Sequence, residues 1–183
     1  ENCNLVQLRH NADINEMYGT TYGYHSSISP MMVSHLRAKF DDVIRRFPPS
    51  RGDYVLDIGC NDGTFLNFYE NIGVRRFGMD PSSAKFIKFF QDDIEVAYDF
   101  FSEKKVRAMT GSAQYKIISS IAMFYDLDDP ISFMTDISNL LAADGIWLVE
   151  IAYLPLMLKN LAYDQVMHEH LTYLGLRQMK YMM

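Results

Sequence analysis

Two groups of side chains in this 183-residue chain have types and spacing suited to chemistry. In the first group, an apolar run of strand length contains Asp57, and Gly59 and Gly63 follow it before a helical pattern begins. Asp80 ends the next apolar run, about twenty positions further on. The glycines permit a sharp turn and close approach of a ligand, and the start of the helix is expected to offer unpaired N–H groups. A nucleoside is therefore predicted to lie across the turn, with Asp80 accepting hydrogen bonds from its ribose hydroxyls.

Two departures from the dinucleotide-binding fingerprint indicate the charge of the ligand. Asn61 stands where that fingerprint has its second glycine, which disfavours close approach of a pyrophosphate. The Asp57 carboxylate would repel a phosphate and attract a cation. Residues 57–64, D-I-G-C-N-D-G-T, resemble the first motif of class I methyltransferases that use S-adenosylmethionine (SAM), a cofactor with an ammonium and a sulfonium but no phosphate. The residues predicted to bind SAM are Asp57, Gly59, Asn61, Gly63, Thr64, Asp80 and Ser120.

The order of the apolar runs predicts an α/β fold. Strands are predicted at residues 54–58, 76–79, 94–98, 116–120 and 146–150. Helices are predicted at residues 31–47 (with Ser29 as N-cap), 65–69, 84–90, 103–109 and 130–142, and a turn at Asp144-Gly145. This alternation gives a Rossmann-like, mostly parallel central sheet with helices on both faces, as in class I methyltransferases. A ligand then lies over the carboxyl ends of the strands, where residues 123–125 would form part of its wall.

The second group is the run His168-Glu169-His170, which tyrosines flank on both sides. Imidazole titrates near neutral pH, and an adjacent carboxylate can orient it and raise its basicity, so this run is suited to moving a proton. Its spacing is not that of a zinc-protease helix. In an extended segment the two histidines would share one side and could bind a metal as a pair. They could equally be ordinary surface or core residues.

Four segments in a characteristic order make the chain resemble the deoxysugar C-methyltransferases, which methylate carbon 3 of a nucleotide-linked 4-keto-6-deoxy sugar. These segments are residues 22–27 (Y-G-Y-H-S-S), the turn at 57–64, residues 121–130 and residues 168–173. The resemblance implies that His170, assisted by Glu169, removes the proton from carbon 3, and that Tyr22 and His25 hydrogen-bond the enolate or the sugar hydroxyls. It assigns sugar binding to Tyr24, Ser26, His168 and Tyr173. Met167 departs from the family, which often has a tyrosine or cysteine there.

The resemblance also predicts the domain organisation. The family has an N-terminal zinc-binding domain, a SAM domain and a C-terminal domain that helps to bind the sugar nucleotide. Residues 1–30 are interpreted as the tail of the zinc domain, with Cys3, plus the substrate loop; residues 31–155 as the SAM domain; and residues 156–183 as the start of the C-terminal domain. The chain is thus expected to be a piece of a longer protein, with zinc bound only in the missing N-terminal part and no metal site of its own. Such a piece could bind SAM without catalysing methyl transfer.

Bulk properties exclude several partners. A net charge of −6 without a basic stripe argues against nucleic acid, and the longest apolar stretch is too interrupted to span a membrane. Two cysteines and no apolar leader indicate a reducing cytoplasm. The expected partner is a small-molecule sugar nucleotide, and the sequence does not predict the oligomeric state. Three alternatives stay open: a SAM-dependent O- or N-methyltransferase, a non-catalytic SAM-binding module, and an NAD-linked oxidoreductase, which Asn61 and Asp57 disfavour.

Overall fold

The computed structural model describes residues 4–10, 13–18 and 22–183. Its strands are β1 Val6–Gln7, β2 Tyr54–Ile58, β3 Arg75–Met79, β4 Ile94–Ala97, β5 Tyr115–Ile121, β6 Leu141–Glu150 and β7 Thr172–Tyr173. The five strands β2 to β6 form one parallel sheet in the order β4-β3-β2-β5-β6. The chain moves outward from β2 in one direction and then restarts at β5 in the other. The point where the direction switches, between β2 and β5, is where such sheets open a crevice for a ligand.

Helices cover both faces of this sheet, as predicted. They are α1 Ile14–Tyr18, α2 Pro30–Arg46, α3 Thr64–Asn67, α4 Glu103–Thr110, α5 Pro130–Leu140, α6 Leu154–Asn160 and α7 Leu176–Met182. Strand β2 is buried on both sides, because Val55 packs into one hydrophobic cluster and Leu56 and Ile58 into another. The N-cap prediction for α2 is confirmed, since the Ser29 side chain accepts a hydrogen bond from the Met32 N–H at 3.3 Å.

Several predicted boundaries are wrong for physical reasons. The predicted turn at Asp144-Gly145 falls within the bounds of β6, where residues 142–145 bulge out of the pairing: Leu141 lies opposite Tyr115 and Ile146 opposite Ile117. A side chain at Gly145 would come within 2.6 Å of the Tyr115 carbonyl oxygen, so glycine permits this close packing against β5. Helix α5 correspondingly ends at Leu140. The predicted helix at 84–90 is a 3₁₀ segment, Pro81–Phe89, capped by the Asp80 side chain. Helix α3 has only four residues because i to i+3 turns follow it.

The two ends of the described chain meet in a second, small sheet. Strand β1 pairs antiparallel with β7, with Val6 opposite Tyr173. The predicted domain boundaries at residues 30 and 155 stay predictions, and Cys3 lies outside the described residues. Within the described part of the chain, no helix is long and apolar enough to cross a membrane.

Candidate active site

One cavity of about 780 Å³ opens at the carboxyl ends of β2, β3 and β5. It brings together predicted residues that are far apart in sequence: Tyr22, Tyr24, Ser26, Asp57, Gly59, Asn61, Thr64, Asp80, Glu169 and His170. Its described lining includes five carboxylates (Asp57, Asp80, Asp99, Asp126 and Glu169) and no lysine or arginine. A cavity with this charge favours a cation and disfavours a phosphate.

Asp57 is the most deeply placed carboxylate at the end of β2. It is buried, and one of its oxygens accepts a hydrogen bond from the Ser119 hydroxyl at 2.6 Å. Burial raises the pKa of Asp57 to about 7, and the nearby charge of Asp80 adds to the rise, while the Ser119 hydrogen bond opposes it. The ionisation of Asp57 therefore responds to any cation that enters the cavity at neutral pH.

The turn after β2 uses its own N–H groups internally. Those of Gly59 and Gly63 donate to the carbonyls of Met79 and Cys60, both at 2.9 Å. The Thr64 N–H, at the start of α3, donates to an Asp62 carboxylate oxygen at 3.2 Å. The prediction that the helix start offers unpaired donors is therefore wrong at this position. These three N–H groups are therefore not available to a phosphate.

Two residues predicted to bind SAM do not line the cavity. Gly63 has a φ of 76°, and a side chain there would meet the Phe90 ring at 2.6 Å, so this glycine serves the turn and its packing rather than the approach of a ligand. Ser120 is fully buried, and its hydroxyl accepts a hydrogen bond from the Trp147 indole N–H at 2.9 Å. Both residues stabilise the walls around the site.

Asp80 lies at the end of β3 and orders the turn next to it. One of its oxygens accepts from the Asn61 N–H at 2.9 Å, and the other accepts from the N–H and hydroxyl of Ser82 at 2.6 and 2.7 Å. A carboxylate offers about four lone-pair sites, so Asp80 keeps the capacity to accept from a ligand hydroxyl. Its predicted contact with a ribose stays a prediction.

The Tyr22–Ser27 loop is fastened directly to the turn after β2. The Asn61 side chain accepts from the Ser26 N–H at 2.9 Å and donates to the Tyr24 carbonyl at 3.0 Å, and Asp62 accepts from the Ser27 N–H at 2.8 Å. The side chain of Asn61 is thus committed to the loop, which the sequence did not suggest. The predicted cofactor turn and the predicted substrate loop form one hydrogen-bonded unit.

His25 does not line the cavity, in contrast to its predicted role at the enolate. Its Nδ1 lies 3.2 Å from the Ser27 hydroxyl and 3.4 Å from an Asp62 oxygen. Its ring packs against Phe86 and Phe89, with ring centroids 5.2 and 5.4 Å away. His25 therefore supports the outer side of the loop.

His170 has the hydrogen bond that a base requires. Its Nδ1 lies 2.9 Å from the Gln165 carbonyl oxygen, which can only accept, so Nδ1 carries the proton and Nε2 carries the lone pair of the neutral ring. The ring packs edge-on against Tyr125, with centroids 4.4 Å apart. Gln165 and Tyr125 thereby fix the orientation of the imidazole.

His168 and Tyr173 lie away from the cavity. The backbone turns at this point, with the His170 N–H donating to the Met167 carbonyl at 3.2 Å, so the segment is not extended and the two histidines do not share a side. The His168 side chain is 76% exposed and meets only Glu169, at 3.8 Å. Tyr173 is buried with a hydroxyl that has no partner. In the described ranges, no group of three or more potential ligands could hold a metal ion.

The sequence analysis missed Asp126 and Tyr18, which also line the cavity. Asp126 is buried, and Tyr18 lies close enough to interact with its carboxyl group. Burial raises the pKa of Asp126 to about 8, and the charge of Glu169 adds to the rise, while Tyr18 opposes it. The sequence could have indicated Asp126. It is a charged residue in the otherwise apolar segment that follows the fourth predicted strand, and the end of that strand faces the predicted ligand site. Nothing in the sequence singles out Tyr18.

The chain belongs to the methyltransferase domain family, which matches residues 32–183, and it has the class I fold of SAM-dependent methyltransferases. It is 29% identical over 177 residues to the C-methyltransferase NovU of Streptomyces niveus. That match covers 95% of this chain but only 41% of the length of the relative.

Solved structures agree on the fold. One similar structure is the complex between the Haloferax volcanii Trm112 methyltransferase activator and a methyltransferase, with a TM-score of 0.61, 15% identity, and coverage of 84% of this chain and 70% of that chain. Another is the plantazolicin methyltransferase BpumL with a substrate analogue and SAH, also with a TM-score of 0.61, at 16% identity over 81% of this chain and 61% of that chain.

Proposed function

We propose that this protein is a SAM-dependent C-methyltransferase that acts on carbon 3 of a nucleotide-linked 4-keto-6-deoxy sugar. The observation that carries the proposal is the single cavity lined both by Asp57 and Asp80, at the ends of two strands, and by His170. The likeness to a C-methyltransferase over 95% of this chain supports transfer to carbon. The sugar nucleotide rests on the sequence resemblance alone.

The residues present fit SAM. The carboxylates that line the cavity, and the absence of lysine and arginine from its described lining, suit a cofactor that is cationic and has no phosphate. Asp57 would attract the positive charge, and Asp80 would accept from the ribose hydroxyls. When bound, SAM supplies an electrophilic methyl group.

The chain's own residues would generate the nucleophile. The Nε2 lone pair of His170 takes the proton from carbon 3, and the electron pair of the broken C–H bond delocalises onto the adjacent carbonyl oxygen. The Nδ1 hydrogen bond to Gln165 holds the ring in the basic tautomer before this step and stabilises the imidazolium after it. Tyr22 lines the cavity, and its hydroxyl would donate to the sugar. Burial raises the pKa of Tyr22 to about 12, so the hydroxyl keeps its proton.

The charge of the cavity also determines which part of the substrate enters. A diphosphate would face several carboxylates and no lysine or arginine among the described lining residues. The sugar ring therefore occupies the cavity, while the nucleotide diphosphate lies outside it.

The experiment is to supply the full-length protein with SAM carrying a ¹³C-methyl group and a panel of nucleotide-linked 4-keto-6-deoxy sugars, and to locate the label by NMR. Label on carbon 3 supports the proposal. Label on an oxygen or nitrogen would establish the O- or N-methyltransferase alternative. SAM binding without transfer to any acceptor would support a non-catalytic module.

The affinity for SAM is expected to rise about tenfold between pH 6 and pH 8. A cation favours the ionised form of Asp57, whose pKa of about 7 leaves it mostly protonated at pH 6 and mostly ionised at pH 8. Calorimetric titration across this range measures the effect. Asp57→Asn should bind SAM more weakly at pH 8 and lose this part of the pH dependence. An unchanged pH dependence in the variant would contradict the role given to Asp57.

Removing the Asn61 side chain is expected to raise the KM for the sugar nucleotide by about 5- to 20-fold, because three hydrogen bonds to the substrate loop are lost. Asn61→Gly is the suitable variant, since glycine tolerates the left-handed φ of 51° at this position. Hydrogen exchange of the Ser26 and Ser27 amides should accelerate at the same time. Unchanged protection of these amides would show that the loop does not depend on Asn61.

A further inference from the structure

A carboxylate oxygen lies in the cavity wall without any partner. Asp126 is 7% exposed, and its Oδ1 is a buried atom with no hydrogen bond. An unpartnered buried polar atom costs free energy, on the order of 1–3 kcal/mol. No donor among the described residues therefore stabilises the ionised form at this oxygen, which is enclosed by protein, and the neutral form is favoured. Because Asp126 also lines the cavity that contains His170 and Glu169, its carboxyl group is within reach of a ligand there.

The surrounding structure fixes this carboxyl group. Asp126 ends a 3₁₀ segment, Phe124–Asp126, and its N–H donates to the Met123 carbonyl at 3.1 Å. The neighbouring Tyr125 carbonyl accepts from the Thr172 hydroxyl at 3.2 Å, which joins the segment to β7. Tyr18 of α1 interacts with the carboxyl group. The segment that carries Asp126 is therefore joined to β7 and lies close to α1.

The chemistry proposed for this cavity requires a hydrogen-bond donor. When a proton leaves the carbon beside a carbonyl, negative charge appears on the carbonyl oxygen, and donors already in position stabilise it strongly. A carboxyl group kept neutral by its surroundings is such a donor, because its O–H points at the ligand without competing water. The pKa of Asp126, raised to about 8 by burial and by the charge of Glu169, is consistent with a neutral group at pH 7.

We propose that Asp126 is a catalytic residue whose neutral carboxyl group donates a hydrogen bond to the carbonyl oxygen that becomes the enolate oxygen. The O–H bond does not break. Negative charge moves onto the substrate oxygen as His170 takes the proton from carbon, and the charge leaves again when the new carbon–carbon bond forms. This proposal rests on the proposed function, since it needs a substrate with a carbonyl group.

The test compares Asp126→Leu with Asp126→Asn in the full-length protein. Leucine removes the donor, whereas asparagine keeps the size and supplies an N–H donor. The assay is exchange of the carbon 3 proton of a nucleotide-linked keto sugar with solvent deuterium, without SAM. Asp126→Leu should slow exchange by about 10²–10³-fold, and Asp126→Asn should stay within about tenfold of the unaltered protein.

Controls separate this role from a structural one. SAM affinity should stay within about twofold in both variants, and Asp128→Asn, at an exposed carboxyl group two positions away, should leave exchange unchanged. Exchange by Asp126→Leu within threefold of the unaltered protein would overturn the proposal. Equal losses in the two variants would also overturn it, because an ionised carboxylate acting as a base explains that result.

The pH profile keeps the proposal falsifiable if Asp126→Leu does not fold. Exchange by the unaltered protein should fall above about pH 8 as Asp126 ionises, and Asp126→Asn should lack this fall. The other titratable groups that interact with Asp126 are Tyr18, Tyr22, Tyr125 and Glu169, and they remain in both proteins. An identical fall in Asp126→Asn would overturn the assignment. If the unaltered protein exchanges no proton with any keto sugar, both this proposal and the proposed function fail.

Discussion

Replacing His170 by glutamine is expected to slow exchange of the carbon 3 proton and methyl transfer together, by about 10²–10⁴-fold. The Nδ1 hydrogen bond to the Gln165 carbonyl leaves the Nε2 lone pair as the basic site, and a glutamine amide offers no comparable base. Because proton removal precedes transfer, both rates should fall by a similar factor. Deuterium exchange followed by NMR, and kcat with labelled SAM, measure them separately.

His168→Gln is the matched control. His168 lies two positions away in the same turn, but its side chain is 76% exposed and does not line the cavity. Its replacement should change either rate by less than about twofold. SAM affinity should be unaltered in both variants. Equal losses in the two variants, or normal proton exchange by His170→Gln, would contradict the assignment of the base.

Replacing Asp80 by asparagine is expected to weaken SAM binding by about 10- to 100-fold, the range for loss of hydrogen bonds to a charged acceptor. The amide nitrogen of asparagine donates instead of accepting, so it conflicts with the N–H group of Asn61 or Ser82, and the charged acceptor proposed for the ribose is lost. A melting temperature a few degrees lower should accompany the loss, because Asp80 also caps the following 3₁₀ segment.

Calorimetric titration with SAM measures this effect, and Asp92→Asn, at an exposed carboxyl group, is the comparison for a change of net charge alone. Ser82→Ala separates the cap from the ligand contact, since it removes one hydrogen bond to the Asp80 carboxylate but keeps the acceptor for the ribose. If Ser82→Ala weakens SAM binding as much as Asp80→Asn does, the effect of Asp80 is structural and no ribose contact need be assigned to it.

The sequence was sufficient to predict the parallel sheet and the edge of the sheet at which the site lies. The central strands β2 and β5 each contain consecutive apolar residues, Val55-Leu56 and Ile117-Ile118, because a parallel sheet is buried on both faces, and these pairs mark where the strands lie. The polar residues at the ends of β2 and β3, Asp57 and Asp80, could then be assigned to one edge of the sheet.

Contacts between segments that are far apart in the chain could not be predicted from the sequence. The hydrogen bonds between the Asn61 side chain and the substrate loop form because residues 22–27 lie over the turn. The periodicity of apolar residues gives no information on how a loop packs against a distant turn. His25 illustrates the same limit, because its packing against Phe86 and Phe89 turns it away from the cavity. His168, which the resemblance assigned to sugar binding, lies outside the cavity because the backbone turns after Met167.

The most direct test of the central claim is the exchange of the carbon 3 proton with deuterium, for a nucleotide-linked 4-keto-6-deoxy sugar incubated with the full-length protein and no SAM. With His170 Nε2 as the base, we expect deuterium at carbon 3, lost in His170→Gln and kept in His168→Gln. Methyl transfer that proceeds without any such exchange, or exchange that survives the loss of His170, would contradict the account.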